Sequence, residues 1–562
     1  MTTYPTRTIL NLDGLWSFRF TEGATLSAAD PKKPNFDDTM AVPAAFDATP
    51  RYRMKRGLAV YGRTFSLPKA CRNALLRVGA AGLSARFWID GREVGFVEMG
   101  YNAYEFETGP LAAGEHTVFA ATDNNLTWET PFFQPNYDFY GYGGIYRHVD
   151  LAVLPGPASI DRVQVRTTDA QAGRVELRFL FRGKVPANLE AIVAFDTDKA
   201  PRTVKLSVQN GEAVWTAKVP KARRWSPDDP ALHTVTVRAL GDKIVETFGI
   251  RDFSAENGRF WLNGEPIVLR GFNRHETHPE CGPATSEAIM LEDLHHLKEL
   301  GCNFIRGSHY PQDPRFLDLC DRLGVLVWEE GLAWGENANR LANPVFCDGQ
   351  VAQMRRMVRK SVNHPSVVVW AFLNEFDSGC DAGVALCRRL VDALHEEDWS
   401  RPVSFACNRG RSDRCAGLVD FPSFNTYPGW ICPDSLDQPE DPIAANVADF
   451  VDFLASVRRP GAPIFVSEMG TCGIYGAHDE AAAQWTEEFQ VRYMVECIRQ
   501  AFSHPEVQGM TIWQFTDCMS FHRFGGGLRT KPLAQNLAGV YDVYRRPKLA
   551  AAAVADAFRT VR

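Results

Sequence analysis

The stretch Trp370-Ala371-Phe372-Leu373-Asn374-Glu375 is an apolar run that ends abruptly in a glutamate. Ile464-Phe465-Val466-Ser467-Glu468-Met469-Gly470 repeats this form further along the chain. Each run predicts a buried strand with a carboxylate at its C-terminal tip, which is where a (β/α)8 barrel carries its catalytic groups. Two such carboxylates indicate a general acid/base and a nucleophile for glycoside hydrolysis. The alternative for either glutamate alone is a salt-bridged structural residue.

Strands and helices alternate around these two runs, from about residue 252 onwards. Short apolar segments predict strands, and apolar residues at helical spacing predict helices. The predicted strands include residues 268–272, 303–306 and 325–328, and the predicted helices include residues 286–300, 348–362 and 549–558. Roughly 300 residues of this alternation suit one (β/α)8 barrel.

The chain before residue 252 has a different character. Short alternating runs lie between turns from about residue 8 to 153, for example residues 86–89 before the turn Asp90-Gly91-Arg92. This is the pattern of an antiparallel β-sandwich. Pro155-Gly156-Pro157 predicts a linker, and the strand-like residues 158–250 fit an immunoglobulin-like sandwich without disulfides. We therefore expect domains at residues 1–155, 156–251 and 252–562.

Composition and charge argue against several classes of protein. Of the 562 residues, 45% are hydrophobic and 23% are charged, and the formal net charge is −7, so we expect no nucleic-acid partner and no anionic membrane. No apolar run reaches about 18 residues, and the N-terminus lacks a basic stretch before an apolar core, so we expect neither a transmembrane helix nor a signal peptide. The 13 cysteines form no C-x-x-C pair, which argues against a zinc site and favours reduced thiols in the cytoplasm.

Further motifs lie in order along the chain. They are Asp13-Gly14-Leu15-Trp16, Tyr142-Gly143-Gly144-Ile145-Tyr146-Arg147, Arg270-Gly271-Phe272-Asn273-Arg274-His275-Glu276, Arg306-Gly307-Ser308-His309-Tyr310-Pro311 and Asn363-His364-Pro365-Ser366-Val367. With them the chain resembles glycoside hydrolase family 2, the β-galactosidase/β-glucuronidase family, along nearly its whole length. The resemblance implies an N-terminal jelly-roll sugar-binding domain, an immunoglobulin-like β-sandwich and a catalytic TIM barrel. It also implies that Glu375 is the general acid/base and Glu468 the nucleophile.

The same resemblance implies ligands for the sugar. Asn374 resembles the family asparagine that hydrogen-bonds the sugar 2-hydroxyl, and Tyr427 resembles the tyrosine that hydrogen-bonds the nucleophile. His275 and His309, which lie just beyond the first two barrel strands, would bind sugar hydroxyls. Loop-capping, core or structural roles are the alternatives for these four residues.

Two more candidates lie in different domains. Trp513 ends the presumed eighth strand and would give the sugar ring an apolar floor, with a core aromatic as the alternative. Asp138, in Asn136-Tyr137-Asp138-Phe139-Tyr140, resembles part of a first-domain loop that reaches the active site in glucuronidase-like members. Its alternative is a surface turn residue.

The loop before the final helix departs from the family pattern. The glucuronidase branch reads a uronic carboxylate with an Asn-x-Lys motif, and the aligned segment here is Gln535-Asn536-Leu537-Ala538-Gly539. Asn536 is present, but Ala538 stands where the lysine should be. Without this lysine, a uronic carboxylate loses a charge-assisted contact that is typically worth about 1.5–3 kcal/mol. Arg529 and Lys531 lie in the same loop and are the alternative cations.

The segment after the third barrel strand bears on metal binding. The large metal-dependent galactosidases of the family use a glutamate and a histidine there, but the histidine is absent from Trp328-Glu329-Glu330-Gly331-Leu332-Ala333-Trp334. We therefore expect no cofactor and no catalytic metal.

These observations predict a retaining exo-β-glycosidase that removes terminal β-linked pyranosides by double displacement, with a neutral hexoside such as a β-galactoside preferred. A β-glucuronidase or β-galacturonidase is the alternative within this class. A catalytically weak carbohydrate-binding protein on the same scaffold is the alternative outside it. The expected partner is a small-molecule glycoside or oligosaccharide. The family often forms dimers or tetramers, which leaves a homo-oligomer open.

Overall fold

The structure is a computed structural model that describes residues 2–127, 132–135, 137, 139–431, 441–520, 531 and 535–561. The described chain folds into a jelly-roll, an immunoglobulin-like sandwich and a TIM barrel, in the order predicted from the sequence. The domain boundaries that we expect remain a prediction. Two of the candidate site residues, Asp138 and Arg529, lie outside the described residues.

The N-terminal jelly-roll is built from strands β1 (Thr8–Asn11), β2 (Gly14–Glu22), β3 (Asp38–Val42), β4 (Ala44–Ala45), β5 (Gly57–Leu67), β6 (Ala74–Val78), β7 (Ala81–Gly82), β8 (Ser84–Ile89), β9 (Arg92–Val97), β10 (Tyr104–Glu107), β11 (Gly114–Asp123), β12 (Gly144–Ile145) and β13 (Val149–Val153). Single 3₁₀ turns lie at Leu26–Ala28, Phe46–Ala48 and Pro50–Tyr52.

Two sheets of this domain enclose a common core. Their strand orders are β3-β2-β5-β11-β8-β9 and β1-β13-β6-β10, and β4-β12-β7 forms a small third sheet. Trp16 and Phe18 from the first sheet pack with Leu76 from the second, as alternation along a strand requires. The hairpin between β8 and β9 turns at Asp90 and Gly91, which have φ angles of 51° and 75°. Positive φ at both positions is what a tight two-residue hairpin turn needs.

The second domain consists of strands β14 (Ser159–Asp169), β15 (Arg174–Arg182), β16 (Asn188–Phe195), β17 (Arg202–Ser207), β18 (Glu212–Lys218), β19 (His233–Ala239) and β20 (Asp242–Phe248). They form the sheets β14-β15-β18 and β17-β16-β19-β20. Val163, Leu177, Val193 and Val237 lie in the core between these sheets.

The third domain begins with strands β21 (Phe253–Glu256), β22 (Arg259–Leu262) and β23 (Glu265–Ile267). Its barrel strands are β24 (Leu269–Arg274), β25 (Phe304–Gly307), β26 (Leu326–Glu330), β27 (Val367–Ala371), β28 (Val403–Ser404), β29 (Ala406–Cys407), β30 (Ser423–Asn425), β31 (Ile464–Met469) and β32 (Val507–Ile512). Strands β33 (Cys518–Met519) and β34 (Gln535–Asn536) form a further hairpin. Helices lie at α1 (Glu287–Glu299), α2 (Pro314–Leu323), α3 (Ala338–Leu341), α4 (Pro344–Ser361), α5 (Asp381–Glu397), α6 (Asp441–Val457), α7 (Glu487–Ala501) and α8 (Leu549–Thr560), with a 3₁₀ turn at Gly410–Ser412.

The parallel sheet closes into a barrel. Its strand order is β28-β27-β26-β25-β24-β32-β31-β30-β29, and β24 pairs with β32 in parallel. Strands β28 and β29 are separated only by Phe405, so they act as one bent strand that joins the two ends of the sheet. All residues of β27 are buried, as expected for a strand covered on both faces.

Two features of the barrel differ from the sequence-based expectation. Helix α4 begins at Pro344 rather than near residue 348, because the side chain of Asn343 caps its first turn and proline suits the first helical position. Strands β21–β23 form an antiparallel sheet that we did not predict, and its Phe260 packs with Phe465 of the barrel interior. This sheet covers the N-terminal end of the barrel.

The jelly-roll packs against the barrel through its loops. Tyr101, Phe133 and Phe139 belong to the same apolar cluster as the barrel core. The rings of Tyr101 and Tyr310 stack with their centroids 3.7 Å apart. A loop of the N-terminal domain therefore reaches the mouth of the barrel.

None of the helices in the described residues has the length and the apolar character that a membrane span requires.

Candidate active site

The two predicted catalytic glutamates lie at the C-terminal end of the barrel. Glu375 follows β27, the fourth barrel strand, and Glu468 lies within β31, the seventh. Both side chains are nearly buried, with 8% and 3% of their surface exposed. In the register of β30 and β31, Asn425 is opposite Glu468, which brings an amide beside both carboxyl groups.

Arg306, at the end of β25, connects the residues of this site. Its Nη1 donates to Glu468 Oε1 at 2.5 Å and to Asn273 Oδ1 at 2.7 Å. Its Nε and Nη2 donate to the two oxygens of Glu330, both at 3.0 Å. Nη2 also donates to Asn374 Oδ1 at 2.8 Å. Because the guanidinium is fully buried, these bonds fix both its position and its charge.

Glu468 accepts a hydrogen bond at each of its two carboxyl oxygens. Its Oε1 accepts the hydrogen bond from Arg306, and its Oε2 accepts one from the phenol of Tyr427. Burial raises the pKa of Tyr427 well above its usual range, so the phenol remains a donor. Trp430 packs edge-on against the Tyr427 ring, with the ring centroids 5.1 Å apart. The ion pair with Arg306 and the Tyr427 hydrogen bond orient the carboxyl group of Glu468, as a nucleophile requires.

Glu375 has the opposite electrostatic environment. Burial, and then the negative charge of Glu468, raises the pKa of Glu375 to about 8. Its Oε1 accepts a hydrogen bond from Asn425 Nδ2 at 2.9 Å, and Ser467 Oγ in turn donates to Asn425 Oδ1 at 2.6 Å. At neutral pH the carboxyl group holds its proton, as a general acid must.

Three of the predicted sugar ligands have buried polar atoms that make no hydrogen bond within the described residues. They are Asn374 Nδ2, His275 Nε2 and Asn536 Nδ2. Leaving a buried donor without a partner costs about 1–3 kcal/mol, so such atoms suit a site that a polyhydroxylated ligand completes.

The two predicted histidines lie together with Trp513. The His309 ring stacks on the indole at a centroid distance of 5.4 Å, and the His275 ring meets it edge-on at 5.4 Å. Burial, and then the charge of Arg306, lowers the pKa of His309 to about 3. Burial likewise lowers the pKa of His275 well below its usual range. Both imidazoles are therefore neutral, and Phe139 from the N-terminal domain packs against them.

The hairpin that carries Asn536 forms another wall of the region. Asn536 Oδ1 accepts a hydrogen bond from the Ala538 backbone at 3.3 Å. Ala538 belongs to an apolar cluster with Trp430, Trp513 and Leu537. Lys531 is buried, and burial lowers its pKa to about 7.

Sequence reasoning missed several residues of this network. Arg306 and Asn273 stand in motifs that we used only for the family resemblance, and Glu330 stands in the segment that we considered only for metal binding, where we expected none. Asn425 lies two positions before Tyr427. Each of these residues is the last or next-to-last residue of a barrel strand, so the signal that could have found them was the strand-end position itself.

Comparison with protein families matches all three domains. The model of the glycosyl hydrolases family 2 TIM barrel domain matches residues 253–554. The models of the family 2 sugar binding domain and of glycosyl hydrolases family 2 match residues 9–155 and 158–251.

Similar proteins cover nearly the whole chain. Beta-glucuronidase of Chlorocebus aethiops is 29% identical over 601 residues, which span 96% of this chain and 89% of that protein. Beta-glucuronidase of Streptococcus agalactiae is 26% identical over 597 residues, which span 97% of this chain and 95% of that protein.

Solved structures match to the same extent. The GH2 beta-galacturonidase from Eisenbergiella tayi bound to glycerol has 29% identity and a TM-score of 0.89, covering 100% of this chain and 98% of its own. Bifidobacterium dentium beta-glucuronidase complexed with coumarin-3-O-glucuronide has 26% identity and a TM-score of 0.88. The match covers 99% of this chain and 97% of that chain.

Proposed function

The chain belongs to glycoside hydrolase family 2, and from this premise we propose that it is a retaining exo-β-glycosidase that removes terminal β-linked uronic acids, as β-glucuronides or β-galacturonides. The observation that carries the mechanism is the contrast between two neighbouring carboxyl groups. Glu375 is held as an acid by burial, whereas Glu468 is ion-paired with Arg306 and accepts a hydrogen bond from Tyr427.

The proposed reaction takes two displacements. Glu468 attacks the anomeric carbon while Glu375 donates its proton to the leaving oxygen, which gives a glycosyl ester of Glu468 and the free aglycone. Glu375, now ionised, removes a proton from water, and this water attacks the anomeric carbon and releases Glu468. Asn374, whose Oδ1 is fixed by Arg306, presents its Nδ2 to the sugar, and His275 and His309 provide neutral imidazoles for hydroxyl groups.

Two considerations favour a uronide over the β-galactoside that we expected from the sequence. The similar proteins that span the chain are beta-glucuronidases and a beta-galacturonidase. Before β34, Lys531 provides a buried amine whose pKa burial lowers to about 7. A uronic carboxylate beside this ammonium would stabilise its charged form. We assign the reading of the carboxylate to Lys531, in place of the lysine that Ala538 replaces.

Two alternative functions remain open to experiment. A neutral β-galactoside is favoured by the apolar cluster of Ala538, Leu537, Trp430 and Trp513, since this wall offers no cation at residue 538. A carbohydrate-binding protein without catalysis is less consistent with the site, because a binding function does not require two buried carboxyl groups, one with a raised pKa and one paired with an arginine.

A panel of nitrophenyl β-glycosides tests these proposals. The panel contains the glucuronide, galacturonide, galactoside and glucoside, and the measured quantity is kcat/KM. One charge-assisted contact is worth about 1.5–3 kcal/mol, so the preferred uronide should exceed the galactoside by about 10- to 150-fold. Lys531→Gln should remove this preference and leave the galactoside rate unchanged. Lys298→Gln, at an exposed lysine of α1, is the matched control.

The other outcomes decide between the alternatives. A wild-type preference for the galactoside would contradict the uronide assignment and support the neutral hexoside. Uronide preference that survives Lys531→Gln would show that the cation comes from elsewhere, with Arg529 the next candidate. Binding of a sugar without hydrolysis of any glycoside would support the carbohydrate-binding function.

A further inference from the structure

A buried hydrogen bond joins the N-terminal domain to the barrel beside the candidate active site. The phenol of Tyr137 donates to Glu336 Oε1 at 2.6 Å. Tyr137 has 1% of its surface exposed and Glu336 has none, so this contact is shielded from water. A phenol–carboxylate bond in such surroundings is stronger than its counterpart at the surface.

Glu336 has few other polar contacts. Its Oε2 accepts no hydrogen bond within the described residues, and Arg340 Nε lies 3.6 Å from it. Burial raises the pKa of Glu336 to about 7. A buried carboxyl group with one strong hydrogen bond depends on that bond for its position. Loss of the Tyr137 hydroxyl would therefore leave the side chain poorly held.

The backbone around Glu336 is joined to the segment that carries the acid/base. The Asp377 amide donates to the Glu336 carbonyl at 2.9 Å, and the Gly335 amide donates to the Asn374 carbonyl at 2.8 Å. A third bond runs from the Asn374 amide to the Ala333 carbonyl at 3.2 Å. Three backbone hydrogen bonds therefore join residues 333–336 to residues 374–377.

The backbone around Glu375 needs the support of these hydrogen bonds. Leu373 and Glu375 have φ angles of 46° and 55°, in the left-handed region that side chains with a Cβ rarely occupy. Residues in this conformation persist only where their surroundings hold them. The bonds to residues 333–336 are part of that support.

We propose that Tyr137 and Glu336 are positioning residues, through which the N-terminal domain holds residues 374–377 in the geometry that lets Glu375 protonate the leaving group. The inference rests on the proposed function, since it takes Glu375 as the general acid. It assigns the N-terminal domain a role in catalysis as well as in shaping the sugar site with Phe139.

The test compares two leaving groups on the sugar that wild type prefers. A phenyl glycoside needs proton donation to depart, whereas a 2,4-dinitrophenyl glycoside does not. Tyr137→Phe and Glu336→Ala, which remove the donor and the acceptor of this bond, should each lower kcat/KM for the phenyl glycoside by about 10- to 100-fold, the effect of a small misplacement of a catalytic group. For the dinitrophenyl glycoside, kcat/KM should change by less than about twofold, since its leaving group needs no proton donor. The double variant should be no worse than the poorer single variant, since both changes break one contact.

Tyr52→Phe is the matched control. Its phenol also donates to a carboxylate, Asp38 Oδ2 at 2.5 Å, but both residues lie within the N-terminal domain. Tyr52→Phe should leave kcat/KM unchanged for both glycosides. A wild-type enzyme that cleaves neither glycoside would contradict the proposed function itself, and the positioning role with it.

With an active wild type, two results would overturn the positioning role alone. The first is an equal loss on both substrates, which would indicate general structural damage. The second is no loss on either substrate. If Glu336→Ala does not fold, Tyr137→Phe alone decides between these outcomes, since it removes a single oxygen atom. A lowered melting temperature for Tyr137→Phe with an unchanged substrate ratio would mean that the contact only joins the domains.

Discussion

Glu375→Gln is expected to stabilise the folded protein at alkaline pH while it removes most of the activity. Burial, and then the charge of Glu468, raises the pKa of Glu375 from 4.5 to about 8. In the unfolded chain the same carboxyl group titrates near 4.5. Between these two pH values the folded protein holds a proton that the unfolded chain has lost. The free energy of unfolding therefore falls as the pH rises from about 4.5 to about 8.

The size of this stability change follows from the pH interval between the two pKa values. One pH unit corresponds to about 1.4 kcal/mol, so the rise in pH from 4.5 to about 8 removes up to roughly 5 kcal/mol of stability that is fully present below pH 4.5. Glutamine has no proton to lose. Its carbonyl oxygen can still accept the bond that Asn425 donates to Glu375 Oε1 at 2.9 Å. The variant therefore avoids the loss that wild type suffers as the pH rises.

The assay is unfolding of wild type and Glu375→Gln in denaturant at about pH 5, 7 and 9, the interval over which the linked proton is lost. The two proteins should differ little at the lowest pH, and the variant should be more stable by a few kcal/mol at the highest. In parallel, the kcat/KM of wild type should decline on the basic side with an apparent pKa near 8. Glu265→Gln, at an exposed glutamate of β23, controls for the loss of a negative charge. A stability difference that is the same at all three pH values would refute the reasoning.

The remaining predictions concern the pair of carboxyl groups and the stereochemistry. Glu468→Gln and Glu375→Gln should each lose at least about three orders of magnitude in turnover, and azide should rescue Glu375→Ala on activated substrates with a β-azide product; a β-azide from Glu468→Ala instead would reverse the two roles. Proton NMR should show the β-anomer as the first sugar released, because two displacements retain configuration, and an initial α-anomer would exclude this mechanism. Activity should survive EDTA, and loss on chelation with recovery on Mg²⁺ would contradict the expectation of metal-free catalysis.

The sequence by itself predicted the features that depend on residues close together along the chain. Alternating and continuous apolar runs separated the sandwiches from the barrel, since strand and helix periodicities repeat within a few residues. Glu375 and Glu468 were found because each ends or follows a buried apolar run. The absence of a lysine at Ala538 was equally visible, but it pointed towards a galactoside, whereas the similar proteins favour the uronide.

Only the tertiary structure decided which distant residues meet. Barrel closure brings the ends of β25, β26 and β31 together, so Arg306 contacts both Glu330 and Glu468. No local pattern predicts this arginine, because its partners lie 24 and 162 residues away. The same holds for Tyr137 and Glu336, which meet across 199 residues. The raised pKa of Glu375 follows from such packing, since burial and neighbouring charge shift a pKa, and both arise only when separate segments pack against one another.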